Sequence, residues 1–207
     1  MRRDRSDIRE LLVESAIIEF AARGFDGAST RAIAERADAH QPQINYHFAS
    51  KFELWRATVD HLFELLDEEF TGVDDIYDPA ERFAEGIRRL VHFAANHPHL
   101  NRIIVQEASS SNPRMQWLTE AHVRPRFNMR RQLWRELREA GIAAPIPDEI
   151  IHHVLIGAAS QPYVSSSETE LLLERDELDS SLIDAHTEGL VTTLLPGYKR
   201  PHIEDPS

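Results

Sequence analysis

The 207-residue chain contains no cysteine, which excludes a disulfide framework, a thiolate metal site and a thiol nucleophile. It also lacks any apolar run approaching the roughly 20 residues that a membrane-spanning helix requires. The first residues, MRRDRSDIRELL, are basic but interrupted by acids, and no apolar stretch of signal-peptide length follows them. We therefore expect an unprocessed cytoplasmic protein without a membrane partner.

Sequence motifs of catalysis and cofactor binding are absent as well. The chain has no G-x-S-x-G, no P-loop, no H-E-x-x-H and no dinucleotide-binding glycine pattern. The nearest candidates for a metal site are His97-Pro-His99 and His152-His153, but adjacent histidines on a helix point about 100° apart, and no carboxylate stands at a useful spacing. We predict no enzyme activity, no cofactor and no metal.

An overall excess of basic residues is also missing. The net charge of -12 argues against a polyanionic partner, because phosphate binding depends on Lys and Arg. The charge is unevenly distributed, however: residues 1–50 contain seven arginines and eight acids, so the remaining 157 residues carry -11 of the total. A local basic face can therefore form near the N-terminus of an otherwise acidic protein.

Apolar residues recur with a helical period throughout the chain, and no convincing alternating strand is found. The pattern predicts an all-α protein in which Pro125, which lacks an N–H, either kinks the helix that contains it or splits it at Arg124. Glycine and proline mark most of the predicted helix ends. The predicted helices cover about 8–22, 30–37, 42–48, 50–71, 79–96, 98–109, 113–140, 148–160 and 178–195.

The second and third of these helices are short and separated by Asp38-Ala39-His40, which is the outline of a helix-turn-helix. Ser29-Thr30 offers an N-cap to the first of the pair, and Pro42 suits the first turn of the second. Ser50 and Glu53 then form a predicted capping box for a long fourth helix. Gln and Asn can bond bidentately to adenine, Arg to guanine, and proline can meet a thymine methyl in the major groove.

The run from Phe20 to Leu54, FAARGFDGASTRAIAERA followed by INYHFASKFEL, resembles the TetR family of bacterial transcriptional regulators. Asp38 stands where the family commonly has glycine, and Asp can adopt the left-handed turn conformation. The resemblance implies that Gln41, Pro42 and Asn45 face bases, and that Arg31 contacts a base edge or a phosphate. It implies a core role for Ile44 and Phe48. The implied phosphate contacts are Thr30, Gln43, Tyr46, His47 and Lys51. A flexible arm with Arg2, Arg3 and Arg5 is a further hypothesis.

The resemblance also implies a helical-bundle domain for regulation and dimerisation. We expect a helix-turn-helix domain at 1–50, a connecting helix at 51–72, a ligand-binding and dimerisation domain at 73–200 and a tail at 201–207. Polar and aromatic residues on apolar stripes predict a ligand pocket, although an ion pair or ordinary core packing would explain each of them as well. These residues are Glu107, Trp117, His122, Arg126, Phe127 and Trp134.

Small and apolar residues on the last two predicted helices suggest a dimer interface, with completion of the monomer core as the alternative. These residues are Val154, Gly157, Ala158, Leu182, Gly189, Leu190 and Leu194. The sequence thus predicts a homodimeric repressor that binds a palindromic operator on double-stranded DNA and is released by a small-molecule effector. Three alternatives stay open: an activator, a DNA-binding protein without an effector, and a helical small-molecule-binding protein or enzyme that retains the helix-turn-helix as a relic.

Overall fold

The computed structural model describes residues 5–109, 111–174 and 178–200, with side chains from residue 8 onward. These ranges contain no β-strand, so the predicted all-α class is confirmed. The predicted tail at 201–207 and the proposed arginine arm lie outside the residues whose side chains are described. The α-helices are α1 (Arg5–Gly27), α2 (Thr30–Arg36), α3 (Gln41–His47), α4 (Lys51–Glu69), α5 (Pro79–Asn96), α6 (Pro98–Ala108), α7 (Pro113–Leu118), α8 (Arg124–Glu139), α9 (Ile151–Val164), α10 (Ser166–Leu173) and α11 (Ser180–Leu194).

The first of two compact units comprises the chain as far as Glu68 together with His97–His122. Within this unit α1 packs on α2 and α6, and α2 packs on α3. Helices α6 and α7, which the sequence analysis assigned to the C-terminal domain, therefore belong with the helix-turn-helix. The largest fully buried side chains of the unit are Leu12, Phe20, Ile33, Ile44, Leu54, Trp55, Leu62, Ile103 and Leu118.

Helix α1 bends at Gly24, the position where the sequence predicts its end. Gly24 has φ 67°, which places it in the region that glycine adopts without a steric penalty. The bend leaves carbonyl groups of α1 without their usual helical donors. Gln106 of α6 supplies one donor, since its Nε2 bonds to the carbonyl of Ala21 at 2.9 Å. A side chain of α6 thus caps the straight part of α1.

The second unit comprises Glu69–Asn96 and the chain from Val123 onward. Helix α5 lies at its centre and packs on α8, α9 and α11. The core includes Phe83, Ile87, Val91, Trp134, Leu155 and Val191. Trp134 is fully buried, and its indole N–H donates to the carbonyl of Ile146 at 2.9 Å. Its one polar atom is therefore satisfied within the apolar interior.

The long helix predicted at 113–140 is divided in the structure. A π-helical turn, Thr119–Val123, separates α7 from α8, and α8 begins at Arg124. The predicted split at this residue is confirmed, because Pro125 occupies the first turn of the new helix, where no N–H is needed. Two turns of helix, Ser166–Leu173, also form in the acidic connection before α11.

Asp148 explains why α9 begins later than predicted. Its carboxylate is 5% exposed and accepts hydrogen bonds from three arginines of α8. The donors are Arg131 Nε at 3.2 Å, Arg135 Nε at 3.1 Å and Arg138 Nη2 at 3.1 Å. The residue therefore fastens the loop before α9 to α8, and the helix starts three residues further on, at Ile151.

Candidate nucleic-acid interface

The two short helices and the turn between them have the geometry expected from the sequence. Ser29 Oγ accepts a bond from the backbone N–H of Ala32 at 3.4 Å, which caps the start of α2. At the other end Asp38 has φ 51°, so the predicted left-handed conformation is confirmed. The N–H of Ala39 donates to the carbonyl of Ala34 at 2.9 Å and closes the end of α2. The chain then enters α3 directly.

A buried carboxylate on α1 fixes the start of α2. Glu19 is 4% exposed, and its Oε1 accepts a hydrogen bond from the backbone N–H of Ser29 at 3.1 Å. The same oxygen lies 3.3 Å from Nε of Arg23. Glu19 is not among the predicted site residues, although its place on the apolar stripe of α1 indicates burial. The bond links α1 to the residue that precedes α2.

Helix α3 buries one face and presents the other to solvent. Ile44 and Phe48 are 1% and 5% exposed, so their predicted core role is confirmed. Gln41, Pro42 and Asn45 are exposed, as base-reading side chains must be before DNA binds. The face thus combines two amides that can bond to adenine with an apolar ring that can meet a thymine methyl.

The predicted phosphate contacts surround this face. Tyr46 is 61% exposed, and its ring packs edge-on against His47 with the centroids 5.1 Å apart. Thr30 Oγ1 accepts a hydrogen bond from Gln41 Nε2 at 3.4 Å, which joins the first turn of α2 to the first turn of α3. Gln43 is half-buried, and its Oε1 accepts from the N–H of His40 at 2.7 Å. This bond occupies the carbonyl oxygen of Gln43 and leaves its NH₂ group for a phosphate oxygen.

Two cations, Lys51 and Arg31, are among the predicted DNA contacts. Lys51 opens α4, and its Nζ donates to the carbonyl of Asp26 at 3.4 Å and lies 4.9 Å from the ring centroid of Phe25. Arg31 forms an ion pair with Glu35 at 2.9 Å, but both side chains are mostly exposed. Such a pair contributes little, so Arg31 can exchange it for a DNA contact. The N–H of Glu53 donates to Ser50 Oγ at 3.1 Å, as the predicted cap requires.

The six residues predicted to form a ligand pocket are divided between the two units, and Trp117 and His122 contact each other with ring centroids 5.3 Å apart. Three of them belong to the first unit, where Glu107 is 4% exposed and bonds to Arg114 at 3.0 Å, as in the ion-pair alternative. Trp117 packs edge-on against Trp55 at 5.6 Å. His122 stacks on Phe63 at 4.2 Å, and its Nε2 lies 2.8 Å from Asp60 Oδ1. These residues join α7 and the π-helical turn to α4.

The other three lie on α8 in the second unit. Trp134 belongs to the core, Phe127 packs edge-on against His152 at 5.7 Å, and Arg126 is half-buried. A cavity of about 340 Å³ does exist in this unit, within the size range of ligand sites. None of the six residues lines it. Its walls are Phe70, Val73, Asp74, Arg82, Phe83, Gly86, Ile87, Leu90, Met129, Arg130, Gln132, Leu133, Glu136 and Leu155.

The residues proposed for a dimer interface differ in exposure. Leu194 is 2% exposed and packs in the core of the second unit, as the monomer-core alternative expects. Gly157 and Gly189 are exposed, and a Cβ at either position would meet no atom within 4 Å. The outer faces of α9 and α11 are therefore open at their glycines. Between the helices, His186 bonds to Tyr163 Oη and to the carbonyl of Ala158, both at 3.0 Å.

Within the described part of the chain, no helix has the length and apolar character needed to cross a membrane. The same residues contain no group of three or more His, Asp and Glu side chains placed to hold a metal ion.

Comparison with known proteins identifies relatives of the N-terminal region. Residues 12–58 match the model described as bacterial regulatory proteins, tetR family. The "Probable HTH-type transcriptional regulator YttP" of Bacillus subtilis is 27% identical over 104 residues, which are 49% of this chain and 50% of YttP. The HTH-type transcriptional repressor KstR2 of Mycobacterium tuberculosis is 31% identical over 139 residues, 63% of this chain and 64% of KstR2. The chain thus matches about half to two thirds of the length of these relatives.

Solved structures extend the likeness to nearly the whole fold. AibR in complex with isovaleryl coenzyme A and operator DNA has a TM-score of 0.75 at 17% identity, covering 92% of this chain and 100% of AibR. HlyIIR, a hemolysin II transcriptional regulator, has a TM-score of 0.68 at 16% identity, covering 90% and 98%. At these identities the comparison establishes the shared fold.

Proposed function

We propose that this chain, which belongs to the tetR family of bacterial regulatory proteins, is a transcriptional repressor released from DNA by a small effector. It binds a palindromic operator as a homodimer. The observation that carries the proposal is the outer face of α3, where Gln41, Pro42 and Asn45 are exposed while Ile44 is buried. The side chains that can bond to base edges therefore lie on the solvent-exposed face of the helix.

The distribution of charge supports the same proposal. The acidic charge of the chain lies mostly beyond residue 50, whereas Arg31 and Lys51 are among the predicted DNA contacts. The carbonyl of Asp26 and the ring of Phe25 hold Lys51 without neutralising it, so its charge stays available to a phosphate. The start of α4 adds backbone N–H groups beside the same cation.

The short length of α3 supports the proposal that the protein binds DNA as a dimer. Helix α3 has seven residues and can contact only a few base pairs. Two copies related by a two-fold axis read a palindrome whose half-sites lie roughly 34 Å apart, or slightly more. The exposed faces of α9 and α11 are our choice for the interface, because Gly157 and Gly189 permit a close approach of two helices.

The effector part of the proposal has two supports. The second unit contains the cavity of about 340 Å³, and AibR, which shares the fold, was solved with an acyl coenzyme A and operator DNA bound. Phe70, which follows directly on the last residue of α4, lines the cavity. A ligand there contacts the segment that continues from α4, and it acts by favouring a state with lower operator affinity.

The test is selection of bound sequences from a random DNA pool by the purified protein. We expect enrichment of a palindrome that binds at least about a thousandfold more tightly than scrambled DNA at physiological salt. A reporter with this palindrome overlapping its promoter should lose expression when the protein is present. Binding that is weak, salt-sensitive and equal for all sequences would overturn the proposal and favour the relic alternative.

A further inference from the structure

The cavity of the second unit has largely apolar walls, with two arginines, Arg82 and Arg130, among its lining residues. Arg130 projects from α8 and is partly buried. Around it lie the buried side chains of Phe83, Ile87 and Leu155. A charged group in such surroundings normally has a carboxylate partner, because an unpaired charge loses solvation without compensation.

The partner of Arg130 is a neutral histidine. Its Nη1 lies 2.8 Å from Nδ1 of His152. Burial, together with the charge of Arg130 and the neighbouring His153, lowers the pKa of His152 to about 4, so the ring is neutral near pH 7 and Nδ1 acts as the acceptor. Burial and the repulsion of Arg126 lower the pKa of Arg130 to about 10, so it remains a cation. His152 thus orients the guanidinium without cancelling its charge.

The other charged residues of the cavity do not compensate Arg130. Asp74 and Glu136 are exposed, and Glu136 Oε1 accepts a bond from Gln132 Nε2 at 3.3 Å. Arg82 is tied through Nε to the carbonyl of Ile76 at 2.8 Å. Among the residues that the structure describes, no carboxylate forms an ion pair with Arg130.

The contrast with the rest of α8 is informative. Arg131, Arg135 and Arg138 all bind the carboxylate of Asp148, at 3.1 to 3.2 Å through the contacts described above. Acidic partners are therefore supplied to the arginines on one side of α8, whereas Arg130, which faces the cavity, has only a neutral acceptor. Such an arrangement is expected of a binding site in which the ligand itself supplies the anion that pairs with the arginine.

We propose that the cavity binds an amphipathic monoanion, a carboxylate with an aliphatic body, whose head bonds to Arg130 and whose body contacts Phe83, Ile87 and Leu155. A guanidinium can bond a carboxylate through two parallel N–H groups. The lining carries two cations, Arg82 and Arg130, and two acids, Asp74 and Glu136, so a monoanion meets less repulsion from these acids than a dianionic phosphate would. The inference rests on the proposed function in that this carboxylate would be the effector.

The experiment measures binding to the full-length protein by calorimetry, without DNA, using three probes with the same ten-carbon chain: decanoate, 1-decanol and decyltrimethylammonium. We expect decanoate to bind at least tenfold more tightly than 1-decanol, and the ammonium probe to bind more weakly than either. Arg130→Met should reduce decanoate affinity by about 10- to 100-fold, the range for a lost bond to a charged group. It should leave 1-decanol within about threefold of the wild type, because the methionine keeps the apolar wall.

Arg126→Met is the matched control, since it removes a cation one turn away on the same helix that does not line the cavity. Decanoate affinity should not change in this variant. Equal affinities of decanoate and 1-decanol for the wild type, or equal losses in the two variants, would overturn the inference. The wild-type comparison decides the matter even if Arg130→Met fails to fold.

The outcome can be separated from that of the proposed function. Enrichment of a palindrome by a protein that does not prefer decanoate would overturn only the carboxylate site. Preferential decanoate binding by a protein that enriches no DNA sequence would overturn only the repressor. If both hold, decanoate should weaken operator binding by the wild type and have at least tenfold less effect on Arg130→Met at the same concentration.

Discussion

Replacing Glu19 by alanine should loosen the start of α2, with a magnitude that follows from its two contacts. The N–H of Ser29 loses a carboxylate acceptor, and a hydrogen bond to a charged group contributes about 1.5–3 kcal/mol. We take the lower part of that range because Ser29 is exposed and water can replace part of the bond. The ion pair with Arg23 adds no more than about 0.5 kcal/mol, since Arg23 is 66% exposed. The expected local loss is therefore about 2 kcal/mol.

Amide hydrogen exchange detects such a loss where it occurs. A local destabilisation of about 2 kcal/mol accelerates exchange roughly 30-fold when opening is at equilibrium. We expect this acceleration in the peptide that covers 29–37 and no change in peptides from α8. Glu19→Gln keeps an oxygen acceptor for Ser29 without the charge, so we expect it to lose roughly half as much protection as Glu19→Ala.

Three results would contradict the reasoning about Glu19. Unchanged protection of 29–37 in Glu19→Ala would mean that the bond to Ser29 contributes nothing to the stability of α2. Equal losses in Glu19→Ala and Glu19→Gln would mean that the negative charge matters and the acceptor does not. An acceleration that extends equally to α8 would indicate global rather than local destabilisation.

The remaining predictions concern DNA contacts, pH and assembly. Gln41→Ala should cost about 1–3 kcal/mol at one or two symmetric base pairs and relax sequence preference there, as measured by competition between operator variants. Lys51→Ala should instead weaken all sequences alike and lower the slope of log K against log salt by about one; the reverse pattern would contradict the assigned roles. Hydrogen bonds from arginines hold the pKa of Asp148 at about 2, below its ordinary value of 3.8. The stability it contributes is thus present above about pH 4 and lost as the pH falls through about 2, and thermal unfolding of Asp148→Asn should lack this part of the acid transition. Leucine at Gly157 or Gly189 should fit the protomer but weaken self-association in sedimentation experiments; an intact dimer would exclude these faces from the interface.

The local structure of the helix-turn-helix was predictable because the residues that determine it lie close together in the sequence. Ile44 and Phe48 are four residues apart, so one helical face had to hold both, and both are buried. Asp38 was expected in a left-handed turn because it stands where the resembled family commonly has glycine and because Asp can adopt that conformation, and it has φ 51°. The N–H of Glu53 reaches Ser50 three residues away. Each of these features depends on neighbours within one turn of helix.

The ligand pocket was not predictable in the same way. A polar residue on an apolar stripe indicates burial, but it does not indicate which element covers it. Glu107 is covered within the first unit and paired with Arg114, whereas Trp134 is buried in the second. His122 meets Asp60, which is 62 positions earlier in the chain. Such pairings depend on how α6 and α7 pack, and the helical period of the sequence carries no information about that.

Helical phase, applied to the arginines of α8, would nevertheless have distinguished Arg130 from its neighbours. Arg131, Arg135 and Arg138 follow a spacing of four and three, so they share one face, and in the structure they share Asp148. Arg130 instead precedes Leu133, Trp134 and Leu137 by three, four and seven positions, so it falls on the apolar stripe of the helix. A cation on such a stripe either pairs with a buried acid of the protein or binds an anion that a ligand supplies. In the structure the acceptor for Arg130 is the ring of His152 and not a buried acid, which supports the second alternative.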